Sequence, residues 1–337
     1  MVFSLFFGFA RLVCAAKPPL VGGQAVMEGV MMRHGGAYAL AVRHPDGTIV
    51  AERRPWFSLT RSSFLSKPFV RGFPILIETL VNGIKALNRS AQQGAEGAGE
   101  EIQGWQLVLT LLLALALAIG LFVVTPHLLS IGMNWLNLGG GVEGLSFHLW
   151  DGLFKFLIFI GYIFLISFVP DIRRVFQYHG AEHKVIRAFE ADGDITPGEA
   201  ARHSRLHPRC GTTFLLFVLS ISIILHAVLV PLLFVFWMPE NAVVKHAATI
   251  LFKLLLMIPI SALAYELIRY AAGLGDTWVG TVLRVPGMFL QMLTTYEPDQ
   301  EQIEVAVVAL AEALGEEAPE RLRAPIYQPM QSDAAQS

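Results

Sequence analysis

Long, nearly uncharged apolar runs dominate the middle of the chain and predict membrane-spanning helices. The first run, 105–124, reads WQLVLTLLLALALAIGLFVV and carries no charge, which is enough for an α-helix to cross a hydrocarbon core about 30 Å thick. Three further apolar runs lie at 149–169, 214–236 and 247–269. Charged residues make up only 15% of the sequence, against about 25% in soluble domains. We therefore expect an α-helical integral membrane protein with about four transmembrane helices.

Lysine and arginine are distributed unevenly between the loops, and this distribution predicts the orientation. Eleven precede the first run, none lies in 125–148, seven lie in 170–213, and the next loop carries only Lys245. Positive charge is retained on the cytoplasmic side of a membrane. Both termini and the 170–213 loop are therefore predicted to face the cytoplasm.

The segment before the first run predicts a small α+β cytoplasmic or interfacial module over residues 1–90. AYALAVRHPDGTIVAERRPW indicates two short strands around the turn HPDG. A helix is expected from Pro74, and it fits either a membrane surface or the face of the strands. Its residues divide into an apolar set (Ile75, Leu76, Leu80, Ile84, Leu87) and a polar set (Glu78, Asn82, Lys85, Arg89).

The remaining boundaries follow from composition. Residues 91–104 are of low complexity and predict a linker, and residues 105–296 form the membrane domain with its cytoplasmic loop 170–213. The segment from Asp276 predicts an amphipathic helix, and 297–337 a short helix followed by a disordered tail. The apolar start of the chain lacks a preceding positive region, so we do not interpret it as a signal peptide.

Within the cytoplasmic loop, the stretch YHGAEHKVI places His179, Glu182 and His183 on one face of a helix. Two imidazoles at this spacing can hold one cation while the carboxylate reaches a water molecule, as in the reversed zinc-protease pattern H-x-x-E-H. The same residues also fit an ordinary solvated helix face. The motif alone leaves both interpretations open.

A second group of metal-ligand residue types ends the same loop. HSRLHPRCGTTF brings His203, His207 and Cys210 just before the third apolar run, and nitrogen with thiolate suits a borderline-soft ion such as Zn²⁺. Contacts with lipid headgroups are the alternative for His207. Cys210 and Cys14 are both predicted to be cytoplasmic, where disulfides are rare, so Cys210 is expected to be a free thiol or a ligand.

Four strings in this order resemble one family. GGQAVMEGVMMR, YHGAEHKVI, LHPRCGTTFLLFVL and YELIRYAAG are similar to the YqhQ-like bacterial membrane proteins, a family of unknown function described as predicted metal-dependent enzymes. The resemblance covers about residues 20–295 and implies a bacterial inner-membrane protein with a metal site. It draws attention to Gly22, Gly23, Glu28, Arg33, His179, Glu182, His183, His207, Cys210, Glu266 and Arg269, but not to His203.

These residues lead to a functional hypothesis with one open alternative. The first hypothesis is a zinc-dependent membrane hydrolase in which His179, His183, His207 and Cys210 supply ligands, Glu266 replaces one of them or pairs with Arg269, and Glu182 is the general base. Four protein ligands would close the tetrahedron and indicate a structural site. The alternative is therefore a metal-stapled accessory module that docks envelope or quality-control machinery without catalysis.

The glycine-bounded segment with Gly22, Gly23, Glu28 and Arg33 is expected to contact substrate or to be structural. Its spacing is neither a dinucleotide fingerprint nor a phosphate loop, so no nucleotide and no nucleic acid is expected. The expected partners are the lipid bilayer and other membrane proteins.

Further ionisable residues lie inside the apolar runs. Asp151 and Lys155 are interpreted as a local ion pair, whereas His226 and Lys253 lie deeper, where such groups often mark function. A transporter would show more of these groups together with broken or repeated helices. The sequence therefore disfavours transport.

Overall fold

The structure is a computed structural model that describes residues 21–97, 104–192, 195–208, 210–275, 277–315 and 328–329. The apolar start of the chain with Cys14 lies outside these residues, and so does most of the predicted disordered tail. The described part of the chain is mostly helical and carries one small sheet.

The N-terminal strands form a meander in which neighbours along the chain are neighbours in the sheet. It contains β1 (Val21–Val26), β2 (Gly29–His34), β3 (Ala37–Arg43) and β4 (Ile49–Pro55). A two-residue strand near the C-terminus, β5 (Gln328–Pro329), joins the same sheet next to β4. β1 to β4 pair antiparallel, and β5 runs parallel to β4. The strands around HPDG confirm the sequence prediction. The hairpin β1–β2 was not predicted, because its glycines and methionines lack the alternation typical of strands.

Helices cover both faces of this sheet. One face packs against α5 (Pro170–Asp192), the short α6 (Pro197–Ala201) and α11 (Gln300–Leu314), and together they form the largest apolar core. The other face packs against α1 (Gly72–Gly97) around Trp56 and Ala86. The loop after the second apolar run and the helix near the C-terminus are therefore parts of one folded unit with the N-terminal sheet.

In the described part of the chain, four helical segments are long and apolar enough to cross a membrane, and they coincide with the four predicted runs. They are Gly104–Trp135, Leu145–Ile166, Gly211–Phe236 and Ala242–Gly273. The first consists of α2 (Gly104–Ile119), a π-helical turn (Gly120–Val124) and α3 (Thr125–Trp135). The second is α4 and the third is α7. Their length and composition indicate a membrane protein.

The fourth segment is divided. It consists of α8 (Ala242–Leu255) and α9 (Met257–Gly273), which meet at Leu256. Pro259 lies in the first turn of α9 and has no backbone N–H to continue the hydrogen-bond ladder. The amphipathic helix predicted after this segment is α10 (Trp278–Thr294), and it packs against α7.

The helix α1 differs from its prediction in two ways. Glu78 and Asn82, expected on its polar face, are buried, whereas Leu80 and Leu87 are exposed. The reason is that Glu78 and Asn82 satisfy backbone and hydroxyl groups of the segment after β4. The helix also continues to Gly97, into the stretch 91–104 that was predicted to be a linker; residues 98–103 lie outside the described part of the chain.

The carboxylate of Glu78 is the anchor of this contact. It accepts hydrogen bonds of 2.6–3.3 Å from Trp56, Ser58, Leu59 and Thr60. Burial alone would raise the pKa of Glu78, but these hydrogen bonds favour the ionised form more strongly, so the pKa lies below its ordinary value.

We expect Glu78→Gln to destabilise the protein by roughly 2–3 kcal/mol at pH 7, the range for a buried hydrogen bond to a charged group. A lowered folded-state pKa contributes stability above the unfolded value of about 4.3, and this contribution is lost as the pH falls through the folded value. The difference between variant and wild type should therefore shrink at pH 4. Thermal unfolding in detergent measures both, with the exposed Glu301→Gln as a control expected to stay within about 0.5 kcal/mol. Equal effects of the two changes would refute the assignment.

Candidate metal centre

The three motif residues of α5 lie where this helix passes between the sheet and the C-terminal end of α10. His179, Glu182 and His183 share one helix face, as the sequence predicted. Glu182 and His183 are buried, with 4% and 1% of their surface exposed. The interpretation as a solvated helix face is therefore wrong for these two residues.

Backbone carbonyls fix both imidazole rings. Nδ1 of His179 lies 2.8 Å from the carbonyl oxygen of Thr294, and Nδ1 of His183 lies 2.6 Å from that of Arg205. A carbonyl only accepts, so in the neutral ring Nδ1 carries the proton and Nε2 keeps a lone pair. This is the tautomer that metal-binding histidines have in proteins.

Cys210 completes the group from another element. Its Sγ lies 3.1 Å from Nε2 of His179, and the ligand atoms of His179, His183 and Cys210 all lie within 4.8 Å of one another. Cys210 is also the N-cap of α7 and accepts from the backbone N–H of Thr212. Burial raises the pKa of the Cys210 thiol, whereas the charged form of His183 and the hydrogen bonds from Thr212 lower it, so that the pKa lies below its usual value. The thiolate that a metal ion requires is thereby favoured.

Glu182 stands beside this trio with unused hydrogen-bonding capacity. Its Oε2 has no hydrogen-bond partner among the described residues, and neither has Nε2 of His183. Burial raises the pKa of Glu182 to about 8. The carboxyl group lines a cavity of about 110 Å³ together with His183 and Cys210. The other lining residues are Val21, Gly22, Gly23, Ile186, His207 and Gly211.

Two glycines permit the close approach of neighbouring segments. A Cβ on Gly23 would lie 2.6 Å from Cδ of Glu182, and one on Gly180 would lie 2.2 Å from the carbonyl oxygen of Tyr296. The glycine inside HGAEH therefore lets α5 reach the segment that holds His179. The glycine in the N-terminal string brings β1 against the carboxyl group.

His207 lies next to the trio but outside it. Its ring centroid is 5.7 Å from that of His183, and its Nε2 lies 3.2 Å from a carboxylate oxygen of Glu190. Gln291 of α10 binds the backbone N–H and carbonyl of His207, both at 2.8 Å. The structure thus groups three of the four expected ligands and leaves His207 in the cavity wall.

Glu266 does not supply a ligand in this structure. Its two carboxylate oxygens accept hydrogen bonds of 2.8 and 2.7 Å from the guanidinium group of Arg71, and the backbone N–H of Phe69 donates a third. The expected pairing with Arg269 is replaced by this salt bridge, which ties the start of α1 to α9. Arg269 belongs neither to the trio nor to the cavity lining.

The remaining residues of the N-terminal string are structural here. Glu28 lies in the turn between β1 and β2 with a φ of 50°, and its carboxylate binds the guanidinium group of Arg174 on α5. Arg33 lies over the ring of Trp56, 4.1 Å from its centroid. Glu28 therefore fixes α5 one turn before His179, and Arg33 stabilises the opposite face of the sheet.

Sequence reasoning missed the groups that orient the ligands. The carbonyl oxygens of Thr294 and Arg205 have no sequence signature, because every residue carries a carbonyl. Gln291 had a weak signal, since it is an isolated amide in the apolar stretch VPGMFLQML.

We expect Gly23→Ala to displace the carboxyl group of Glu182 and to destabilise the protein by about 1–3 kcal/mol, the usual cost of overpacking. Gly22→Ala is the matched control, because a Cβ at Gly22 has no atom within 4 Å. Thermal unfolding of both variants measures the difference. Indistinguishable midpoints would contradict the close contact between β1 and Glu182.

Comparison with known proteins identifies the family. The model of the family described as Protein of unknown function (DUF1385) matches residues 67–316. The Uncharacterized protein YqhQ of Bacillus subtilis (strain 168) is 32% identical over 316 residues, which cover 89% of this chain and 94% of that protein. No solved structure matches. The resemblance to YqhQ-like proteins is therefore confirmed, and the chain belongs to the DUF1385 family of proteins of unknown function.

Proposed function

We propose that this protein is a zinc-dependent membrane hydrolase. Nε2 of His179, Nε2 of His183 and Sγ of Cys210 would hold the ion, and Glu182 would act as general base. The observation that carries this proposal is the fixed tautomer of both histidines, which leaves three ligand atoms within 4.8 Å of one another.

The donor set fits a catalytic ion better than a structural one. Nitrogen and thiolate ligands suit Zn²⁺, and three protein ligands leave its fourth position open. An ion in such a site supplies an acidified water, with a pKa of about 7, and polarises a substrate carbonyl. The grouping of three ligands rather than four supports the enzyme over the closed, structural site.

Glu182 has the position that a general base needs. Its carboxyl group lines the same cavity as His183 and Cys210, and its Oε2 has no partner among the described residues. Contact with Gly23 on one side fixes the group against β1. Burial raises the pKa of Glu182 to about 8, and a cation held beside the carboxyl group would favour its ionised form. In that form Glu182 would take a proton from water in the cavity and return it to the leaving group of the substrate.

We also propose that the site faces the bacterial cytoplasm, in the inner membrane. Cys210 immediately precedes α7, one of the candidate spans, so the site lies at the end of the helical bundle. The concentration of lysine and arginine in the loop 170–213 and before the first span supports this side. The proposed metal site would then lie at the cytoplasmic surface of the membrane, outside the hydrocarbon region.

The docking module without catalysis predicts different behaviour of Glu182. In that alternative the trio only holds the loop together, and Glu182 is a buried carboxyl group that supports packing. Replacing the carboxyl group of Glu182 with an amide would then affect only the stability of the protein. A single substitution therefore separates the two functions.

We expect Glu182→Gln to keep the fold and the metal content while it abolishes the phenotype that depends on the protein. The amide is nearly isosteric but cannot take a proton, and removal of a general base costs about 10²–10⁴-fold in rate. Complementation of a deletion strain measures function, and elemental analysis of the purified variant measures zinc.

His203→Ala is the control, because His203 lies in the same loop but outside the trio, and it should retain both zinc and function. A Glu182→Gln variant with full zinc and full function would leave the docking module as the better account. Loss of zinc in Glu182→Gln by about 10–100-fold would instead make Glu182 a positioning residue for the ligands.

A further inference from the structure

A second cluster of ionisable side chains lies inside the helical bundle, away from the metal centre. Its core is Asp151 of α4, whose Oδ1 lies 2.7 Å from Nζ of Lys253 on α8 and whose Oδ2 lies 3.4 Å from Nζ of Lys155. All three side chains are buried, with 1%, 2% and 7% exposure for Asp151, Lys253 and Lys155. The local pair expected between Asp151 and Lys155 is thus part of a three-residue cluster whose shortest bridge joins two helices.

Four histidines surround this core. Nδ1 of His226 lies 3.4 Å from Nζ of Lys155, and Nε2 of His127 lies 2.9 Å from Nδ1 of His246. His148 contacts the carbonyl oxygen of Val142 through Nε2. The second ring nitrogens of His127, His148 and His226 have no hydrogen-bond partner among the described residues, although these rings are at least 96% buried.

The cluster runs from one end of the candidate spans to their middle. At about 1.5 Å per residue, Lys155, Lys253 and His226 each lie roughly 15 Å from the nearer end of their segments. His148 and His246 lie within about 6 Å of that end, and His246 is partly exposed. This is the end that carries the connection 136–144, which the charge distribution places away from the cytoplasm.

Two of the four candidate spans are irregular beside the cluster. The π-helical turn ends at Val124, three residues before His127, and the fourth segment breaks at Leu256, three residues after Lys253. π-turns and interrupted helices are concentrated at functional sites, in membrane proteins at the sites of ions. The sequence disfavoured transport because it showed few ionisable residues in the apolar runs and no broken or repeated helices, and the structure contains two interrupted spans.

Charge balance defines what this cluster can bind. In the described part of the chain, Asp151 supplies the carboxylate that makes salt bridges to both Lys155 and Lys253. The remaining charged groups near this end are Lys245 and Glu143, which pair with each other at 3.6 Å nearer the surface, and the exposed Glu240 in the connection between α7 and α8. With both lysines protonated the buried core carries one excess positive charge, and with one lysine neutral it carries none. These two forms differ by one exchangeable proton. Because a surrounding of low polarity disfavours an isolated charge, the form with one neutral lysine is favoured.

We propose that this cluster is a proton-binding site that exchanges protons with the aqueous phase on the side opposite to the metal centre. One proton converts the neutral amine of one lysine to an ammonium group, and Asp151 stabilises whichever lysine is charged. His226, whose Nδ1 lies 3.4 Å from Nζ of Lys155, would exchange this proton with the lysine. The pair His127–His246, which includes the partly exposed ring, marks the side from which protons would enter. The class of ligand is the proton itself, which membrane pumps and transporters bind at buried ionisable side chains such as those of Asp, Glu and His.

The test uses full-length protein labelled with ¹⁵N-lysine in lipid nanodiscs. At pH 9 ordinary lysines remain ammonium ions, since their pKa is about 10.4. We expect one ζ-nitrogen signal of a neutral amine in the wild type, and reversible conversion to an ammonium signal as the pH is lowered to 6. Lys155→Met and Lys253→Met should each abolish the amine signal, because the remaining lysine then pairs with Asp151 and the core is neutral.

Lys245→Met is the control and should keep the amine signal, because this lysine pairs with Glu143 outside the core. The wild-type spectrum is decisive even where a variant fails to fold. Ammonium signals from all lysines at pH 9 would overturn the proposal. An amine signal that persists in both Lys155→Met and Lys253→Met would overturn it as well, since the amine would then lie elsewhere.

Discussion

Two hydrogen bonds from imidazole rings to backbone carbonyls decide what the helix α5 can do. Thr294 and Arg205 accept from Nδ1 of His179 and His183 at 2.8 and 2.6 Å, which leaves a lone pair on each Nε2. Nε2 of His179 lies 3.1 Å from Sγ of Cys210. If either ring turned over, the protonated nitrogen would face the thiol and no shared ion would be held. The positions of α10 and of the loop before α7 therefore fix the orientation of both rings in the proposed metal centre.

The N-terminal sheet also positions the side chains of α5. Glu28 forms a salt bridge with Arg174 of α5. Gly23 lets the edge strand β1 approach Glu182 so closely that no side chain fits between them. The sheet thus closes one side of the cavity and buries the carboxyl group, which raises the pKa of Glu182 to about 8. The contact explains why the N-terminal string and the histidine motif belong to one site despite their separation along the chain.

The sequence predicted which side chains of the cytoplasmic loop lie together better than it predicted their partners. Spacing along one helix was enough to place His179 and His183 together, and the shared loop was enough to associate them with Cys210. The spacing could not show that Glu266 lies outside the candidate metal site. Helical spacing shows which residues share a face but not which residues they contact, and Glu266 forms a salt bridge with Arg71. The four apolar helices followed from composition, whereas the hairpin β1–β2 and the carbonyl anchors depend on tertiary contacts that leave no periodic signal.

We propose that two histidines and one cysteine hold a single ion. X-ray absorption at the zinc edge of purified, zinc-loaded protein measures this most directly. The account predicts one zinc per chain with one sulfur neighbour at about 2.3 Å and nitrogen or oxygen neighbours at about 2.0–2.1 Å, and it predicts that Cys210→Ser removes the sulfur neighbour. A protein that binds no zinc, or a zinc shell without sulfur in the wild type, would contradict it.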